Sequence, residues 1–192
     1  MSTLFSIGQM NQLADALEAA GYDLSLVTAM RSQVGQLKQF RVVLAGQAQI
    51  VPKQHFINCD ADPFLPDSWS VHEENQLPRR IRGTLEWNPA KVALWLSDEQ
   101  SRGAVIGEEL KKELASQAVL PANVLDYLLA NPHLIPEDWK GKFVFFWGTI
   151  YRSRDDGLCV RYLSWRGDGW RWRYFWLDDH WRDHCPAAVL AS

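Results

Sequence analysis

The fold is decided by Phe143-Val-Phe-Phe-Trp-Gly-Thr-Ile-Tyr-Arg152, Ser153-Arg-Asp-Asp-Gly157, Leu158-Cys-Val-Arg-Tyr-Leu-Ser-Trp165, Arg166-Gly-Asp-Gly169 and Trp170-Arg-Trp-Arg-Tyr-Phe-Trp-Leu177. Aromatic and β-branched residues crowd the long runs, and Asp156-Gly157 and Gly167-Asp168-Gly169 are turn signals between them. The pattern predicts strands over 143–152, 158–165 and 170–177 joined as an antiparallel meander, with a short last strand over 187–190. Side chains on a strand alternate between faces, so Trp170, Trp172, Tyr174 and Trp176 share one side and Arg171, Arg173 and Phe175 the other. The aromatic side has the size and rigidity of a structural wall. The other side mixes two cations and a ring, a poor recipe for a core, and is the expected binding surface. Beyond Leu177 the strand period is lost. Residues 178–185 therefore read as an exposed loop anchored by Leu177 and Trp181, a usual home for binding residues.

The tail also differs from the rest in composition. Residues 143–192 hold six of the 10 tryptophans and seven of the thirteen arginines but no Lys, Glu, Gln or Met, whereas residues 1–142 hold 7 Lys, 9 Glu, 11 Gln and 3 Met. Large rings recur at fixed intervals, and the residues between them share no chemistry. A constant frame carrying assorted side chains suits recognition, while an enzyme would show a few polar groups converging on one point.

Upstream, Ile106, Leu110 and Leu114 mark an amphipathic helix. Pro121 opens another, which carries Val124, Leu125, Leu128 and Leu129 and closes at Asn131-Pro132. Residues 81–87 and 91–96 read as a strand pair. Residues 51–80 read as irregular, punctuated by Pro52, Pro63, Pro66 and Pro78. In the first fifty residues Met10, Leu13, Ala14 and Leu17 predict a helix ending at Gly21. A second helix is expected after Asp23, with Leu26, Val27, Met30, Val34, Leu37, Phe40, Val43 and Leu44 on one stripe up to Gly46. Such a hairpin cannot bury its apolar face alone, so the stripe packs either on the rest of the chain or on another copy. The expected class is α+β: a helical hairpin over 1–50, then a ligand-binding domain over 51–192 ending in the β meander.

A hydrophobic fraction of 47% and a charged fraction of 22% are those of a soluble globular protein. A net charge of −3 provides no global footprint for nucleic acid. Cys59, Cys159 and Cys185 are odd in number and lack CxxC spacing, which predicts reduced thiols in the cytoplasm. No secretory leader and no membrane span are predicted. Cys59-Asp-Ala-Asp62 reads as a turn rather than a cation loop. His180, Asp183, His184 and Cys185 include metal-capable groups, but neither a metal nor any other cofactor is expected. Arg166-Gly-Asp168 is accounted for by the hairpin turn, and Cys159 reads as a small buried strand residue. No nucleophile–base set, phosphate loop or framed pair of carboxylates stands out, so no enzymatic activity is expected.

With those residues in place, the tail resembles the variable segment of the target proteins of diversity-generating retroelements, which carry a C-type-lectin-like fold. In that family adenines of a template are copied with errors, so asparagine AAC codons become any NNC codon, a set lacking Lys, Glu, Gln, Met and Trp. Ser164, Arg166, Gly167, Gly169, Arg171, Arg173, Phe175, His180, Arg182, Asp183, His184 and Cys185 all belong to the NNC set. The resemblance makes them the varied, ligand-binding positions within a segment of about 153–185. It makes Trp147, Trp165, Trp170, Trp172, Trp176 and Trp181 the scaffold. Phe146-Trp147-Gly148-Thr149 and the two helices before it are similar to the lectin-like opening strand and its helices. The resemblance covers roughly 80–192 and implies a hypervariable bacterial protein that recognises a protein or surface ligand. The calcium-binding Glu-Pro-Asn motif of sugar-binding C-type lectins is absent.

Two other readings stay open. A single-stranded nucleic-acid platform would need rings and arginines on one face. A carbohydrate-binding module would need solvent-exposed Trp170, Trp172 and Trp176. Segregation of Trp and Arg onto opposite faces, with the acidic Asp178-Asp179, argues against nucleic acid.

Overall fold

The computed structural model of the chain describes residues 4–51 and 53–191; Pro52, expected as a break, lies outside the described residues. Contacts divide the chain into two units, Met1–Lys53 and Gln54–Ser192. In the first, helix α1 (Ile7–Ala19) begins at a capping box, in which the Ser6 hydroxyl accepts the Gln9 amide and the Gln9 side chain accepts the Ser6 amide. It stops at Gly21, whose φ of +83° is left-handed. Asp23 caps α2 (Leu24–Ser32) by accepting the Leu26 amide.

The single second helix expected from the sequence is two. The chain leaves helical geometry at Gln33 (φ −104°, ψ 43°) before α3 (Val34–Leu44). Ser32 turns its hydroxyl back onto the Ala29 carbonyl at 2.8 Å, and Gly35 follows at once; both weaken helix continuation at that point. None of the three helices buries a residue fully. Between them lies an apolar groove lined by Leu17, Leu26, Met30, Leu37, Phe40 and Val43.

The second unit runs β1 (Phe56–Asn58), β2 (Ser70–Val71), β3 (Thr84–Glu86), β4 (Val92–Trp95), α4 (Asp98–Arg102), β5 (Val105–Ile106), α5 (Gly107–Leu114), α6 (Ala122–Ala130), β6 (Val144–Arg152), β7 (Leu158–Trp165), β8 (Trp170–Trp176), β9 (His180–Trp181) and β10 (Ala187–Leu190). Helices and a largely antiparallel sheet make this an α+β unit. The main sheet has the order β4-β10-β6-β7-β8, with β2 pairing the end of β6. Strands β6, β7 and β8 form the predicted antiparallel meander. The last strand, β10, inserts between β4 and β6.

Three expectations are corrected. The strand-like runs 81–87 and 91–96 do not pair with each other. Instead β3 pairs β1, inside the stretch expected to be irregular, and β4 pairs β10. The segment 178–185 is not all loop: β9 pairs antiparallel with β5, Val105 opposite Trp181 and Ile106 opposite His180. The face carrying Arg171, Arg173 and Phe175 is also a core face farther into the sheet.

That last point follows from the layers. On one side of the sheet Phe145, Trp147, Ile150 and Val160 pack with Leu110, Leu114 and Trp181. On the other, Val144, Phe146 and Leu163 pack with Val124, Leu125 and Leu128 of α6. Fully burying each such side chain stabilises the fold by roughly 1.5–3 kcal/mol. Strands β6 and β7 are thus covered twice, and their runs lack the polar alternation of a half-exposed strand. Gly148 lets α6 approach: a Cβ there would lie 2.7 Å from the Pro121 nitrogen and 2.8 Å from the Leu120 carbonyl carbon. Next to it, the Thr149 hydroxyl accepts the Ala122 amide at 3.0 Å. It serves the start of α6, where Pro121 has no side chain able to cap.

Candidate functional site

Strand β8 lies at the edge of the sheet, next to β7 alone. Its register sets Val160 opposite Phe175, Tyr162 opposite Arg173 and Ser164 opposite Arg171, with Leu163 opposite Trp172 and Arg161 opposite Tyr174 on the other face. The Trp165–Trp170 hairpin closes through Gly167, whose φ is +61°, and the Arg166 amide donates to the Gly169 carbonyl at 2.9 Å.

On the arginine side, Phe143 stacks on Tyr162 with ring centroids 5.0 Å apart. Arg166 lies 5.7 Å over the Phe143 ring. His184 meets the same Phe143 ring edge-on at 5.2 Å. Burial raises the Tyr162 hydroxyl above the ordinary tyrosine range, opposed by the nearby positive charges of Arg173 and Arg166. The sequence-predicted Arg166, Arg173 and His184 are therefore gathered around an aromatic floor. Arg171, also exposed, pairs with Asp168 at 3.3 Å. Arg173 makes no ion pair among the described residues.

Other predicted positions fall elsewhere. Gly167 is exposed in the hairpin, and Gly169 beside it is half-buried. Arg182 and Asp183 are exposed, and so is His180, which sits in β9. Phe175 is half-buried against Phe145 and Trp181, at 6.3 and 5.2 Å between centroids, so it belongs partly to the core. Ser164 and Cys185 are buried and offer a ligand no surface. Ser164 lies on a strand covered on both faces. Cys185 is drawn in because the buried Gln100 of α4 donates to the Arg182 and Cys185 carbonyls, both at 3.1 Å. Gln100 thereby fixes the loop that displays Arg182, Asp183 and His184.

The tryptophans divide by position. Trp147 and Trp181 are wholly buried, 4.6 Å apart between ring centroids. Trp165, Trp170, Trp172 and Trp176 are half-buried. Tyr174, counted with the wall from its parity, is 40% exposed. Trp69 lies 4.8 Å from it, edge-on.

The feature that reading the sequence missed is Arg161. It is fully buried in β7. It donates to Asp126 at 2.8 Å, to the Tyr151 hydroxyl at 3.3 Å and to the Phe64 carbonyl at 3.3 Å. It also lies 4.6 Å from the Trp172 ring centre. Its one advance signal was an arginine inside an otherwise apolar strand run. The thiols are buried too: burial pushes Cys59 up to about 11 and Cys159 to about 12, which keeps both protonated near neutrality.

The chain matches no family model, no curated protein and no solved structure. No helix among the described residues is long and apolar enough to cross a membrane.

Proposed function

We propose that this protein is a non-catalytic recognition protein, a variable protein of a diversity-generating retroelement with a C-type-lectin-like domain, and that it binds a protein partner through the surface around β8. The observation that carries the reading is the gathering of Arg166, Arg173 and His184 around Phe143 and Tyr162 on a sheet whose tryptophans are anchored in the core. A frame that is ordered before binding loses little freedom on contact. Arginine and aromatic side chains at such a surface are effective anchors for a protein ligand. The lectin-like assignment is supported by α5 and α6 preceding the strand that carries Phe146-Trp147-Gly148-Thr149.

Half-burial of Trp170, Trp172 and Trp176 counts against a carbohydrate platform, which needs those rings free. For nucleic acid, Trp172 lies across the sheet from Arg171 and Arg173, so the β8 tryptophans give no base-stacking surface beside those arginines. The test is the neighbouring DNA. A reverse transcriptase gene and a near-copy of the segment encoding residues 153–185, mismatched only at adenines, are expected. Mismatches should fall at Arg166, Arg171, Arg173 and His184 and spare the tryptophan codons. A locus without such a copy sinks the retroelement assignment.

A further inference from the structure

The geometry points to the open edge of β8 as a docking site for an extended partner segment that adds to the sheet as a further antiparallel strand, with acidic side chains at alternate positions. This rests on reading the β8 surface as a recognition surface and names how the partner is held. The hydrogen-bond phase of the β7–β8 ladder is set at both ends. The Leu177 amide donates to the Leu158 carbonyl at 2.9 Å, and the Arg166 amide to the Gly169 carbonyl at 2.9 Å. Bonded pairs alternate in an antiparallel ladder, so Arg171, Arg173 and Phe175 spend their backbone groups on β7. The N–H and C=O of Trp170, Trp172, Tyr174 and Trp176 then point out of the sheet. At Trp176 the outward carbonyl is already taken, by the Trp181 indole N–H at 3.1 Å and the Asp179 amide at 3.4 Å. At Trp172 and Tyr174 the outward groups have no partner among the described residues. A groove of about 600 Å³ runs along this edge, lined by residues 171–176 with Tyr162 and Asp179.

Charge selects the occupant. A strand added to β8 would make its hydrogen-bonded pairs at Trp172 and Tyr174. The residues opposite Arg171 and Arg173 would then sit in the non-bonded pairs, where side chains approach most closely. Carboxylates there meet two arginines on one face. On the other face, apolar residues meet Trp172 and Tyr174, which Phe64 and Trp69 flank at 5.7 and 4.8 Å. A second copy of β8 is disfavoured in the registers that bring its arginines together. Centring an antiparallel β8–β8 pair on residue 172 sets Arg171 opposite Arg173, and centring it on 173 sets Arg173 opposite itself. Like charges directly opposite are destabilising. The arginines thus guard the edge against self-pairing and admit an acidic strand.

The test uses the full chain and a synthetic peptide of alternating valine and glutamate long enough to span β8. Isothermal titration should show binding, weakened at least about tenfold by N-methylation of the valines, whose amides would face β8. N-methylation of the glutamates, whose amides would face solvent, should leave affinity within about twofold, a change far smaller than one lost hydrogen bond. On binding, hydrogen exchange should slow at the Trp172 and Tyr174 amides. A valine–lysine peptide should not bind, and Arg173→Glu should abolish binding of the acidic peptide. Equal affinity for both N-methylated peptides, with Arg173→Glu still harmful, would overturn strand addition while leaving the recognition surface standing. No binding of the parent peptide overturns the inference as well, whereas the retroelement reading stands or falls on the neighbouring DNA.

Discussion

Strands β7 and β8 are neighbours of similar make-up, each carrying arginine among large apolar residues, yet they treat the arginine oppositely. In β7, Arg161 is sealed beneath Trp172 and Phe64 and paired with Asp126. In β8, Arg171 and Arg173 stand in solvent. The difference is place, not residue type. A central strand is covered on both faces, so its cation is tolerated only with a counter-charge and further hydrogen-bond acceptors. An edge strand leaves part of each face open, and its cations remain available to a partner.

The largest way to break this contrast is to remove the counter-charge. Asp126→Ala leaves Arg161 buried and unpaired and should cost about 3–5 kcal/mol in urea unfolding. A loss below about 1 kcal/mol, the range of an exposed ion pair, would mean that Arg161 is effectively surface-like. Trp172→Ala probes the boundary between the two strands. The ring is half-buried, so its removal should cost about 2 kcal/mol, less than a wholly buried tryptophan. Outright unfolding of that variant would make the edge part of the core.

Alkaline titration sharpens the contrast from the buried side. Burial pushes the Tyr151 hydroxyl from its ordinary 10.0 up to about 12, opposed by Arg161. The folded pKa is raised, so the fold favours the neutral phenol. That stabilisation is complete below pH 10 and is lost as pH rises through 12. The urea midpoint should fall between those values, and less steeply in Tyr151→Phe; an equal fall in both proteins removes Tyr151 as a cause. The smallest expected effect is at the edge. Arg171→Ser with Arg173→Ser should change stability by no more than about 0.5 kcal/mol. A larger drop in melting temperature than for Trp172→Ala would reverse the assignment of the faces.

How much could be read in advance follows the range of the forces involved. Strands β6, β7 and β8 were legible because turn residues and aromatic runs act locally; Asp156-Gly157 and Gly167-Asp168-Gly169 punctuate them. Helices α5 and α6 were legible from apolar spacing and Pro121. The pairings β1–β3 and β5–β9 were not, because strands of two or three residues carry almost no pattern and exist only through distant partners. Within the site, parity places Arg171 and Arg173 outward, and both are exposed. Parity alone could not show that Phe175 leans on Trp181 or that Tyr174 escapes the wall.

Local sequence was enough for the α+β order, the meander and the two families of side chains along β8, because alternation and turn chemistry are properties of neighbouring residues. Packing alone determined which strand became the edge, and with it which arginine is buried and which stays exposed. The insertion of β10 beside β6 and the docking of α6 over Gly148 bury one side of the meander and leave β8 at its border. Burial depends on what arrives from far along the chain, and no local pattern records that.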